Sequence, residues 1–223
     1  MLKPLPSKPY NQLCYAKLMT SPRFFLNLNQ VADNDLKLSL ELQNLKRYQQ
    51  DPVLLVSPML VVSAKVEESF YRLNNLPQQL SKIFSPLKPQ DPDEDIVEEC
   101  AEEALNLLRG HYLLDEVIDG FYEALDNLKL TQLFLRRPDP QEELLGIRAQ
   151  MGRPSLLALK ELWLQAWQAE EVLKRLKTNQ SIALAARSVV IHHANFSASK
   201  LAHQGIKKAW LDAQGRLLAM QIT

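Results

Sequence analysis

Glycine is scarce, with six residues in 223, well under the usual share. That argues against glycine-rich phosphate loops and turn-dense barrels. Two cysteines, Cys14 and Cys100, are too few for a disulfide framework or a self-contained zinc site, and a reducing compartment is the simpler setting. The longest apolar run, around residues 53–62, is interrupted by Ser57 and Pro58. It falls far short of the roughly 18–20 residues that span a bilayer. The first nine residues hold three prolines and no apolar stretch of signal-peptide length. The expectation is a soluble, cytoplasmic protein without membrane association.

Catalytic signatures are missing as well. There is no Gly-x-Ser-x-Gly elbow, Walker-type loop, His-Glu-x-x-His or Cys-x-x-Cys in the sequence, and no Glu has a His three residues later. No cofactor, metal ion or catalytic residue is therefore expected, and a non-enzymatic role is favoured.

What is present is an ordinary globular composition, 46% hydrophobic and 23% charged, long enough to bury a sizeable core. The formal net charge of zero hides a strong segregation. Residues 1–90 carry 11 Lys/Arg against 6 Asp/Glu, residues 91–128 carry one against 13, and residues 129–223 carry 14 against 7. From residue 172 onward the count is 8 basic to 1 acidic. Charge layout of this kind speaks to partners rather than to fold. Two readings compete: the acidic and basic parts face each other or water, or each meets an outside partner.

Along the chain, Leu36, Leu38, Leu40 and Leu42 alternate with polar residues, which suits a half-buried strand. Phe24-Phe25-Leu26-Asn27-Leu28 could pair with it. Pro52 and Pro58 bracket a segment expected to be buried. Helical spacing then predicts helices over 63–73 and 77–84. Three prolines in residues 86–92 mark a loop or subdomain boundary, dividing a mixed region, 1–90, from a helical region, 91–223. One continuous domain is the alternative. Beyond the prolines, helices are predicted over 93–110, 113–130, 155–177, 182–192 and 197–207, with a terminal hairpin turning at Gln214-Gly215. The fold expected is mostly α, bundle-like, with a minor β component from the N-terminal third and the C-terminal hairpin. An α+β fold is the alternative.

Candidate functional residues follow from charge. Asp115, Asp119 and Glu123 recur at i, i+4 and i+8 beside Glu116, a spacing that stacks like charges and favours a basic protein partner or self-association. Lys174, Arg175, Lys177, Arg187, Lys200, Lys207 and Lys208 form a positive set suited to nucleic acid. Asp91, Asp93, Asp95, Glu99 and Glu102 follow an EF-hand-like spacing, but Ile96 stands where the loop needs glycine, so an acidic helix start is the better reading. Arg187, four residues and His192 resemble the short signature of HEPN-type helical ribonucleases, in which His and Arg act on the RNA backbone. The resemblance covers six residues and implies a helix there. Trp163 and Trp167, one helical turn apart, are read as core. The function expected is that of a non-enzymatic interaction protein (a regulator, adaptor or assembly factor) with acidic and basic docking surfaces. A nucleic-acid-binding protein, HEPN-like in its sharpest form, is the alternative.

Overall fold

The computed structural model describes residues 24–31, 39–88, 92–178, 186–201 and 205–222. In chain order these form β1 (Phe25–Asn27), α1 (Leu40–Tyr48), β2 (Leu60–Val62), α2 (Ala64–Leu73), α3 (Leu76–Ile83), α4 (Glu94–Gly110) and α5 (Asp115–Asp126). There follow β3 (Gln132–Arg136), β4 (Ile147–Gln150), α6 (Arg153–Leu164), α7 (Ala169–Lys177) and β5 (Val189–His193), and then β6 (Phe196–Ser199), β7 (Ile206–Asp212) and β8 (Leu217–Ile222). The strands make two antiparallel sheets, one ordered β1-β2-β5-β3-β4 and one ordered β6-β7-β8.

Strand periodicity sets the layering, because successive side chains point to opposite faces. Leu60, Val62, Leu133, Leu135, Val189 and Ile191 join one core with the apolar stripes of α2 to α7. Val61 and Val190, on the other face, join a second core with Leu42 and Leu45 of α1 and with Ile206, Ala209, Leu217 and Met220 of the small sheet. The larger sheet is thus the middle layer, with helices on one side and α1 plus the small sheet on the other. β2 and β5 read as continuous apolar runs because both their faces are covered.

Local chemistry fixes the helix starts. The Ser39 hydroxyl accepts from the Leu42 amide at 3.1 Å to open α1. The Asp93 carboxylate accepts from the Asp95 amide at 3.1 Å to open α4, where acids in the first turn also suit the dipole. The Lys160 ammonium closes the other end of α4, donating to the carbonyls of Arg109, at 2.8 Å, and His111.

Several expectations are overturned. Of the described residues 46% are helical and 21% lie in strands, so the fold is α+β and not a mostly helical bundle. Leu40 and Leu42 belong to a helix, while Leu36 and Leu38 lie outside the described residues. Where a helix is expected over 182–192 the described part holds strand β5, with 181–185 outside the described residues, and where one is expected over 197–207 the described part holds β6 and the start of β7, with 202–204 outside the described residues. Runs of Val and Ile buried on both sides look alike in helix and strand, and here β-branching decides. The long helix over 155–177 breaks at the 3-10 turn Gln165–Trp167. The segment expected to be buried, residues 53–59, is buried only in part: Ser57 and Met59 are 2% exposed, whereas Val53 is 79% and Leu55 64% exposed. Helices α2 to α5 and the terminal hairpin stand close to where the pattern put them.

Candidate functional site

Helices α4 and α5 carry the acidic candidates for a partner surface. Val117, Phe121 and Leu125 bury one stripe of α5, which turns Asp115, Glu116, Asp119 and Glu123 to solvent, all of them exposed. Asp95, Glu98, Glu99, Glu102 and Glu103 are likewise exposed on α4. Among the described residues none of these nine forms an ion pair. Glu94 does, with Lys177 at 3.2 Å. Asp93 caps α4, and helix rather than an ion-binding loop follows it; Asp91 lies outside the described residues. No group of three or more His, Cys, Asp or Glu among the described residues is placed to hold a metal ion.

The seven basic candidates divide. Lys174 and Lys177 lie on α7 in the helical layer, beside Glu171 and Glu94. Arg175 is buried, its guanidinium 5.7 Å from the Trp167 ring centre and donating to the Ala166 carbonyl at 2.6 Å. It is a packing residue rather than a surface cation. The Arg187 side chain is exposed, and its backbone is held by Glu67 and Arg137.

Lys200, Lys207 and Lys208 do come together, lining a cleft of about 500 Å3 with Ser199, Gln221 and Glu142. Cross-strand register explains the meeting. Ser199 pairs with Ala209, which brings Lys200 level with Lys208, and Lys208 pairs with Gln221. Between Ile206 and Lys208 the register of β7 shifts by one residue. In a regular strand Lys207 and Lys208 would face opposite ways, whereas a bulge re-aims one side chain. The Lys208 ammonium sits 5.2 Å from the Trp210 ring centre and donates to the Glu142 carbonyl at 2.6 Å. It thereby fixes the β3–β4 loop as one wall.

Sequence reading missed the most enclosed polar group. Arg136 of β3 and Glu41 of α1 are 0% and 1% exposed and form a two-pronged ion pair, both bonds 2.8 Å. Arg136 also donates to the carbonyls of Leu218 and Arg137 and, through Nε, to His192 Nε2 at 3.1 Å. Glu41 accepts further from the amides of Met220 and Asp139. All five guanidinium hydrogens and both carboxylate oxygens are therefore engaged. Because Arg can only donate, His192 Nε2 must be the acceptor, and Nδ1 carries the hydrogen that reaches the His193 carbonyl at 2.9 Å. Burial first, then the Arg136 charge, pushes the His192 pKa down to about 3. His192 stands on a strand, neutral and fully buried, while Arg187 is exposed; the helical setting implied by the HEPN resemblance is absent. The cluster joins the middle sheet to α1 and the small sheet. Two consecutive arginines closing an apolar run, Leu133 to Arg137, were the available signal.

The remaining candidates pack inside. Trp163 and Trp167 are 1% and 3% exposed, and Trp167 Nε1 donates to the Tyr71 hydroxyl at 2.8 Å. Cys100 is buried and donates to the Ile83 carbonyl, and burial raises its thiol pKa. Cys14 lies outside the described residues. Among the described residues no helix is long and apolar enough to cross a membrane. The chain matches no protein-family model, and no curated protein matches it.

Proposed function

We propose that this chain is an interaction protein that meets charged partners through two layers, an acidic helical face and a basic cleft. One observation carries the reading. The carboxylates of α4 and α5 stand exposed and, Glu94 apart, form no ion pairs among the described residues of the helical layer, while three lysines converge on the small sheet across the middle sheet. Charges that neutralised each other across the described part of the molecule would be paired there, and among the described residues these are not. A helical face of like charges is mildly self-repelling and is relieved by a basic partner, whose approach it also steers.

The test is capture from lysate by the immobilised protein at low and moderate salt, beside the triple variant Asp115→Asn, Asp119→Asn, Glu123→Gln. The expected result is a protein retained by the wild type at low salt, weakened by salt and lost from the variant. Equal capture by the variant removes the acidic face from the proposal.

A further inference from the structure

The basic cleft has a chemistry that narrows its ligand. Three lysines line it, and among the described residues none of them forms an ion pair. Ser199 and Gln221 add uncharged hydrogen-bonding groups, and the Glu142 carbonyl is already occupied by Lys208. Glu142 is the one acidic residue in the lining, which leaves an excess of two positive charges over the residues named. Neighbouring strands lie about 5 Å apart, so Lys200, Lys208 and Gln221 form a short row across the small sheet. Lys207 joins that row because of the bulge. The Trp210 ring, next to the Lys208 ammonium, is 3% exposed and offers no face on which a base could stack. A ligand here would be held by its negative charge and not by its bases.

We infer that the cleft binds the phosphodiester backbone of a nucleic-acid strand without reading its sequence. This deepens the basic half of the function proposed above and rests on that reading; the acidic face plays no part in it. The acidic helices α4 and α5, which on charge alone would repel phosphate, lie in the helical layer with the middle sheet between them and the cleft. Lysine contacts to phosphate release counterions, so affinity falls with salt at a slope of about −0.7 to −0.9 per contact. Three contacts give roughly a 20- to 40-fold loss between about 50 and 200 mM salt.

The experiment is fluorescence anisotropy of a labelled, mixed-sequence single-stranded oligonucleotide with the full chain. The variants are Lys200→Gln with Lys207→Gln, both exposed positions, and the charge-keeping Lys200→Arg with Lys207→Arg. Lys208 is left alone because it holds the loop. The wild type should bind with the stated salt loss, alike for oligonucleotides of different sequence. The glutamine variant should bind about tenfold more weakly or worse at low salt, with a slope reduced by about 1.4, and the arginine variant should match the wild type. No binding at about 50 mM salt, or an unchanged slope in the glutamine variant, overturns the inference. So does displacement by polyglutamate at matched charge, which would make the cleft a site for acidic protein, or by inorganic phosphate at low millimolar levels, which would make it a single-phosphate pocket. None of these outcomes alters the capture test on α5, so the two readings fail separately.

Discussion

Arg136 and Glu41, 95 residues apart in sequence, lock β3 to α1 through two hydrogen bonds of 2.8 Å in the enclosed layer between the sheets. Desolvating both ions is costly, and the pair is tolerable because every other donor and acceptor it owns is also used. Removing one partner leaves a buried charge unpaired. Arg136→Met or Glu41→Gln alone should therefore lower unfolding free energy by about 3–5 kcal/mol, measured by urea denaturation. Arg136→Met combined with Glu41→Leu should recover a large part of that loss, as apolar replacement of a whole buried pair often does.

His192 gives the fold a pH dependence with a definite sign. Its pKa falls from 6.5 to about 3 on burial, so below pH 6.5 the unfolded chain takes up a proton that the folded chain refuses. The stability His192 contributes is complete above pH 6.5 and is lost as pH falls from there towards 3. The slope is on the order of 1 kcal/mol per pH unit. Thermal melts between pH 7 and 4.5 should show this loss. His192→Gln, which keeps an acceptor for Arg136 Nε, should flatten the curve in that window. Asp212 enters only at lower pH. Burial would raise its carboxyl, but bonds from Arg216, Ser57 and Gln214 outweigh that and hold it below 3.8.

How much of this was legible in the sequence depended on the range of the interaction. The stripe Val97, Cys100, Ala101, Ala104 and Leu108 with an Asp93 cap spells α4 within a single segment, and Gln214-Gly215 marks the last hairpin. Val189 to His193 is different. A run buried on both sides has no periodicity to separate strand from helix, and the sheet partners Val61 and Leu135 that make it a strand are remote in sequence. At α1 the period-two pattern of the leucines competes with the Ser39 cap and the Leu42–Leu45 spacing, and the helix prevails. Each lysine of the cleft is legible as a cation, but their meeting depends on strand register and on a bulge at Lys207. The Arg136–Glu41 pair had no local signal at all on the Glu41 side.

The acidic face predicts a stability effect opposite to that of the buried pair. Asp115, Asp119 and Glu123 are exposed, one helical turn apart, and without ion pairs among the described residues. Neutralising all three should leave stability unchanged or raise it by about 0.2–0.5 kcal/mol for each i,i+4 pair relieved. Differential scanning calorimetry at low salt is the measurement. A clear loss of stability would show that these carboxylates are paired in the folded chain.

Gly146 couples the core to the cleft. A Cβ built there would lie 2.7 Å from Phe134 Cζ and would also press on the Leu135 carbonyl oxygen, part of the backbone of β3. Neither neighbour is free to move: Phe134 stacks edge-on against Phe196 at 4.9 Å, and Leu135 is 0% exposed. Gly146→Ala must therefore displace the β3–β4 loop, at a cost of about 1–3 kcal/mol, the usual range for overpacking. That loop also carries Glu142, whose carbonyl anchors Lys208, so oligonucleotide binding at the cleft should weaken along with stability. Gly110→Ala is the matched control. It ends α4, a Cβ there meets nothing within 4 Å, and exchanging glycine for alanine in a helix is favourable by up to about 1 kcal/mol. That variant should be at least as stable as the wild type by thermal denaturation and bind the oligonucleotide unchanged. If Gly146→Ala lost stability while keeping full affinity, the loop would not be a wall of the cleft, and the role given to the Lys208–Glu142 contact would be wrong.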